Sequence, residues 1–188
     1  MRVLLVDNDC SFSWNIVDCL PVAREAVRVV SGAAREQVRG LLPQVDLVVI
    51  GSGPLDPQRA DLVGLVGEAD ALGLPVLGIC LGHQAVGQAF GATLVPVEPH
   101  HGVPSTATFG PSRLFSGITG PRRVMRYHSL ALDAVPPPLR VVARAEDGVV
   151  MAVEHETRPI AGLQFHPDSF GTPQGEAIVA AFFSAVRP

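Results

Sequence analysis

Between residues 2 and 90 short apolar runs alternate with stretches of helical spacing. Arg2 to Val6 reads as a strand, Phe12, Ile16 and Leu20 mark a helix, and Val27 to Val30 reads as a second strand. Ala34, Val38 and Leu41 mark a second helix, and Val45 to Ile50 a third strand. That third run is rich in β-branched residues and apolar on both faces, as a buried parallel strand covered by helices on each side should be. Asp56 and Pro57 predict an N-cap with proline in the first turn, and Leu62, Val63, Val66, Ala69 and Leu72 form the stripe of a third helix that stops at Gly73. Pro75 to Ile79 makes a fourth strand and Gly82 to Phe90 the helix behind it. The expected fold class is therefore α/β, a mainly parallel central sheet with helices on both faces.

Beyond residue 92 Pro, Gly and Thr become common, and strand-like pieces at 105–109, 122–127, 139–144, 149–154 and 160–165 follow without helices between them. They predict a small antiparallel sheet appended to the parallel one. A last helix opens at Thr172 and Pro173 and carries Ile178, Val179, Phe182 and Phe183 on its apolar stripe. Pro136 to Pro138 reads as a stiff surface turn, because neither side is long enough to fold alone. Trp14, at helical spacing, is expected in the core. The 188 residues are read as one domain, 1–188.

Net charge −4 argues against nucleic acid as a ligand and leaves small polar metabolites open. All 14 basic residues are arginine, which excludes Schiff-base, pyridoxal phosphate and Walker-type lysine chemistry. Cys10, Cys19 and Cys80 are too few and too irregularly spaced for a disulfide framework or a zinc knuckle. Asp7 ends the first apolar run well short of a signal peptide, and no run approaches a membrane span of ~20 residues. The expectation is a cytoplasmic protein that engages neither membrane nor nucleic acid.

The chemistry concentrates in Gly78 to Gln84, GICLGHQ, at the end of the fourth strand. Cys80 sits where strand must turn into helix, flanked by Gly78 and Gly82, the cysteine version of a nucleophile elbow. The following helix N-terminus favours negative charge there, which suits a thiolate. A base is offered by Phe165, His166, Pro167 and Asp168, just past the last strand: residues two apart in extended chain face one side, so Asp168 can hold the ring of His166. Oxyanion donors are available from the backbone of Leu81 and from Gly53 in the loop GSGPLDP. Loops at the carboxyl ends of neighbouring parallel strands converge on one crevice, which brings Asp7, Asn8, Gly53 and Cys80 to one side. Gln84 can face that crevice, His83 is expected to pack or cap, and Tyr127 to Leu130 end a strand beside it. His100 and His101 point apart as neighbours and have no partner at ligand spacing, so no metal is expected. Cys10 and Cys19 are read as core or surface residues.

These residues resemble the class I glutamine amidotransferases, and within them the glutaminase subunits of anthranilate synthase and aminodeoxychorismate synthase. LLVDNDCSFSWN with Asp7, Asn8, Ser11 and Phe12, then GICLGHQ, RYHSL at 126–130 and QFHPDS at 164–169 stand in that family's order over nearly the whole chain. The resemblance implies the flavodoxin-like class I glutaminase fold and hydrolysis of L-glutamine through a thioester on Cys80. His166 would act as general base and acid and Asp168 would orient it. Gly53 and Leu81 match oxyanion positions, and Gln84, Ser129 and Leu130 match glutamine-holding positions. Ammonia would pass to a chorismate-binding synthase subunit in a heteromer, whose Mg²⁺ belongs to that partner and not to this chain; these residues leave no segment to use the ammonia. Asp168 replaces the family's usual Glu, which predicts a longer contact to His166 or a shifted backbone. Leu55 replaces a loop glycine and predicts strain if left-handed backbone is needed. The resemblance implies first the anthranilate synthase component II type. The alternatives are a glutaminase subunit for an aminodeoxychorismate or aminodeoxyisochorismate synthase, and a structural or regulatory subunit without efficient glutaminase activity.

Overall fold

The structure is a computed structural model that describes residues 1–187. Its strands are β1 (Val3–Asp7), β2 (Val27–Ser31), β3 (Leu47–Ile50), β4 (Val76–Ile79), β5 (Leu94–Pro96), β6 (Val103–Phe109), β7 (Gly120–Arg126), β8 (Leu130–Leu132), β9 (Leu139–Ala145), β10 (Val150–His155) and β11 (Ile160–Leu163). The helices are α1 (Ser13–Cys19), α2 (Arg35–Leu41), α3 (Leu62–Ala71), α4 (Leu81–Ala89) and α5 (Gly175–Val186). Nine strands form one sheet in the order β2-β1-β3-β4-β11-β10-β9-β6-β7, and β5 pairs with β8 in a separate two-stranded antiparallel sheet.

Alternation along the central strands builds a core on each face. Val3 and Leu5 of β1 pack with Ile16, Phe182 and Phe183, whereas Leu4 and Val6 pack with Val38, Leu65 and Val86. Leu47 and Val49 of β3 join the first group, Val48 and Ile50 the second. Each such side chain withdrawn from water contributes about 1.5–3 kcal/mol, which is why these strands hold the centre of the sheet.

The parallel half runs β2-β1-β3-β4-β11, and the strands beyond are antiparallel. They extend the same sheet, because β11 is parallel to β4 on one side and antiparallel to β10 on the other. The carboxyl end of β11 therefore finishes next to that of β4, which delivers residues 164–168 to Cys80.

Three local expectations are corrected. Asp56 Oδ1 accepts from the N–H of Gln58 (2.9 Å) and Arg59 (3.2 Å), but these close turns, and α3 begins only at Leu62, after Asp61 at φ 50°. Trp14 is 62% exposed, because the seven-residue α1 turns Ile16, Val17 and Cys19 to the sheet instead. Thr172 does not cap α5; its hydroxyl braces the loop after β11. The Pro136–Pro138 run lies between β8 and β9. Among the described residues no helix is long and apolar enough to cross a membrane.

Candidate active site

Cys80 caps α4 with φ 52° and ψ −99°, a backbone region that L side chains adopt only at a cost. Close approach of strand and helix enforces it. A Cβ on Gly78 would stand 2.3 Å from the backbone of Gly82, and one on Gly82 would stand 2.1 Å from the Ile50 carbonyl oxygen, so only glycine fits at either position. The Cys80 N–H donates to the Leu163 carbonyl at 2.8 Å, which ties the elbow to the end of β11.

The chain leaving β11 carries Gln164 and His166 two residues apart, with Phe165 between them turned into the core. His166 is buried, donates its backbone N–H to the Met125 carbonyl (3.0 Å), and lies edge-on to Tyr127 with ring centroids 5.0 Å apart. Thr172 Oγ1 donates to the His166 carbonyl (2.7 Å) and accepts the Met125 N–H (3.0 Å), which fixes this loop against β7. Asp168 Oδ1 stands 3.3 Å from His166 Nδ1 with its side chain 1% exposed, yet no directed hydrogen bond forms. Of the two outcomes expected for the shorter carboxylate, the contact is loosened and not re-formed. Burial opposes charge on His166, but contacts with Asp168 and Cys80 outweigh it and hold the imidazolium up to about 10.

A cleft of about 250 Å³ brings together Gly53, Cys80, Leu81, Gln84, Ser129 and Leu130, so the oxyanion and glutamine-holding candidates share one space with the nucleophile. His166 opens on a second cleft of about 250 Å³ that also reaches Cys80, Phe12 and Gly53. Gly53 is there for close approach: a Cβ would stand 2.4 Å from the Asn8 carbonyl oxygen. Asn8 Nδ2 donates to the Gly51 carbonyl (3.0 Å) and so braces the oxyanion loop from beneath, while Asp7 Oδ1 accepts from Ser13 Oγ (2.6 Å). Leu55 lines the first cleft, half exposed, and its φ is not left-handed, so the expected backbone strain is absent at that residue.

Gln84 Nε2 donates to the Leu130 carbonyl (3.0 Å) and to Gln164 Oε1 (3.3 Å), and Gln164 Nε2 lies 3.8 Å from Cys80 Sγ. Gln164 escaped the sequence reading, although its spacing of two from His166 in extended chain is the signal that puts both on one side. His83 packs: fully buried, with Nδ1 against Gly162, it is pushed down to about 3 by burial. His100 stacks on His128 with centroids 5.9 Å apart, and His101 lines the first cleft. Among the described residues no group of three or more His, Cys, Asp or Glu is placed to hold a metal ion. Cys19 is buried and its thiol is pushed up to about 12, by burial first and then by the charges of Asp168 and Glu176.

The model of the family glutamine amidotransferase class-I matches residues 4–186. An aminodeoxychorismate synthase of Streptomyces griseus is 44% identical over 97% of this chain, which spans 26% of that protein's length. Anthranilate synthase component 2 of Methanothermobacter marburgensis is 36% identical over 96% of both chains, and that of Mycobacterium tuberculosis 40% identical over 96% of this chain and 80% of its own. A solved structure of a putative GMP synthase subunit from Thermoplasma acidophilum superposes with TM-score 0.86 at 24% identity, over 99% of this chain and 94% of that one, and shares its fold.

Proposed function

Since the chain belongs to the class I glutamine amidotransferases, we propose that it hydrolyses the side-chain amide of L-glutamine and delivers the ammonia to a chorismate-utilising synthase subunit. The observation that carries this reading is the single cleft in which Cys80, at a strained elbow, meets Gly53, Leu81, Gln84, Ser129 and Leu130.

In the first half-reaction the Cys80 thiolate attacks the amide carbon and an S–C bond forms. The backbone N–H groups of Leu81 and Gly53 receive the oxyanion. His166, charged at neutral pH, gives its proton to the nitrogen as the C–N bond breaks and ammonia leaves. After its contact with Asp168, the interaction with Cys80 is the next cause that raises His166. That interaction vanishes once the sulfur is acylated, so the imidazole becomes more easily deprotonated when a base is needed. In the second half-reaction it takes a proton from water, the resulting hydroxide attacks the thioester, and glutamate departs as the S–C bond breaks.

The synthase partner is proposed by class, because relatives carry the names of both anthranilate synthase and aminodeoxychorismate synthase. The unit is found as a separate component 2 in some relatives and as part of a longer chain in others. The test is reconstitution with a chorismate-utilising synthase: glutamine-dependent amination that Cys80→Ala abolishes, with ammonia-dependent amination intact, supports the reading. Amination from ammonia alone in the wild-type pair means a structural or regulatory subunit instead.

A further inference from the structure

Arg126, at the end of β7, is among the largest wholly buried side chains of the protein. Its Nη1 donates to Asp147 Oδ2 (2.7 Å) and to Ser105 Oγ (3.4 Å), and its Nε donates to His128 Nε2 (3.2 Å). A guanidinium has no acceptor, so Nε2 of His128 is the unprotonated ring nitrogen. Nδ1 must then carry the hydrogen, and it stands 3.0 Å from the Leu130 carbonyl, which can only accept. The same carbonyl receives Gln84 Nε2, so the Gln84 amide cannot be turned the other way, and its second N–H goes to Gln164. With both amide hydrogens used inside the protein, Gln84 offers its oxygen to the cleft it lines. Hydrogen-bond direction is thus dictated from Arg126 to Gln84 without a reversible link.

We propose that Arg126 and His128 are positioning residues for the glutamine pocket: Arg126 sets the His128 tautomer, His128 anchors the Leu130 carbonyl, and that carbonyl holds the Gln84 amide as an acceptor for a donor group of the substrate. The proposal rests on the glutaminase reading of the same cleft. His128 stays neutral for this task, pushed down to about 4 by its burial and then by the Arg126 charge. The backbone is held in step, since the carbonyls of His128 and Ser129 accept from the N–H groups of His100 and Val97, both at 2.9 Å.

The test compares two reagents that alkylate Cys80: the chloroketone analogue of glutamine, which must occupy the pocket, and iodoacetamide, which need not. In His128→Phe the chloroketone concentration for half-maximal labelling rate, and KM for glutamine, rise about tenfold, as expected for a buried acceptor losing one of its donors. The iodoacetamide rate stays within about twofold, and His128→Asn, which keeps a donor near the Nδ1 position, recovers most of the loss. Should His128→Phe fail to fold, Asp147→Ala reads the exposed end of the same chain, and half-saturation rises there by about threefold. Unchanged half-saturation in the folded variants, or equal loss with both reagents, overturns the proposal, since mere destabilisation lowers the labelled fraction without moving KM. Failure of the glutaminase reading looks different: wild-type labelling by the chloroketone is then not protected by glutamine.

Discussion

Asp168 Oδ1 stands 3.3 Å from His166 Nδ1 with both side chains buried, and neither carboxylate oxygen has a directed hydrogen-bond partner. The orienting member of the candidate triad therefore steers His166 by charge and contact more than by a formed bond. One more methylene would let the carboxylate close the gap to His166 Nδ1. Asp168→Glu is expected to raise glutamine turnover about threefold, and Asp168→Ala to lower it about 10²-fold, less than loss of the nucleophile. Steady-state glutamate release with the synthase present checks both, and a slower Asp168→Glu contradicts the geometry.

The elbow glycines give a stability prediction. Gly78→Ala and Gly82→Ala each drive a methyl into backbone and are expected to cost about 3 kcal/mol or more. Gly40, in α2 with nothing within 4 Å of its added Cβ, is the contrast. Gly40→Ala is expected to stabilise by about 0.5–1 kcal/mol. Urea midpoints of the three variants measure it.

Thr172→Val leaves the Met125 N–H and the His166 carbonyl without the hydroxyl that joins them. The expected cost is about 1–3 kcal/mol for the unpaired buried groups, together with slower turnover, because the His166 loop loses its tie to β7. Urea unfolding reads the first effect and kcat the second.

Stability should peak near neutrality. His83 at about 3 and His128 at about 4 bind protons more readily when unfolded, so they stabilise fully above the ordinary histidine pKa of about 6.5 and lose that contribution as pH falls. His166, raised to about 10, stabilises fully below about 6.5 and loses its contribution as pH rises towards its folded value. Urea midpoints across pH 5 to 9 (roughly) should form a dome, and His166→Gln should flatten its alkaline side.

How much could be read in the chain beforehand follows from what each signal depends on. β1, β3 and β4 declare themselves because burial on both faces demands apolar residues at every position. β5 and β8, three residues each, are too short for any period to register. Trp14 departs from its expected place because α1 is too short for helical spacing to say which face turns inward. At the site, Gly78, Cys80, Gly82 and the His166 segment were legible because a tight elbow and an extended strand end restrict residue type locally. The roles of Arg126, His128 and Gln164 were not, because a hydrogen-bond direction passed between β7, the β8 segment and α4 exists only once those elements have met.

The central claim is that Cys80 is the residue to which glutamine becomes attached. Its most direct test is peptide mapping after labelling with the chloroketone analogue of glutamine. The account predicts one adduct, on Cys80, suppressed by L-glutamine and missing in Cys80→Ala, with Cys19 untouched. An adduct on Cys10 or Cys19 instead, or labelling of Cys80 that glutamine does not slow, would contradict it.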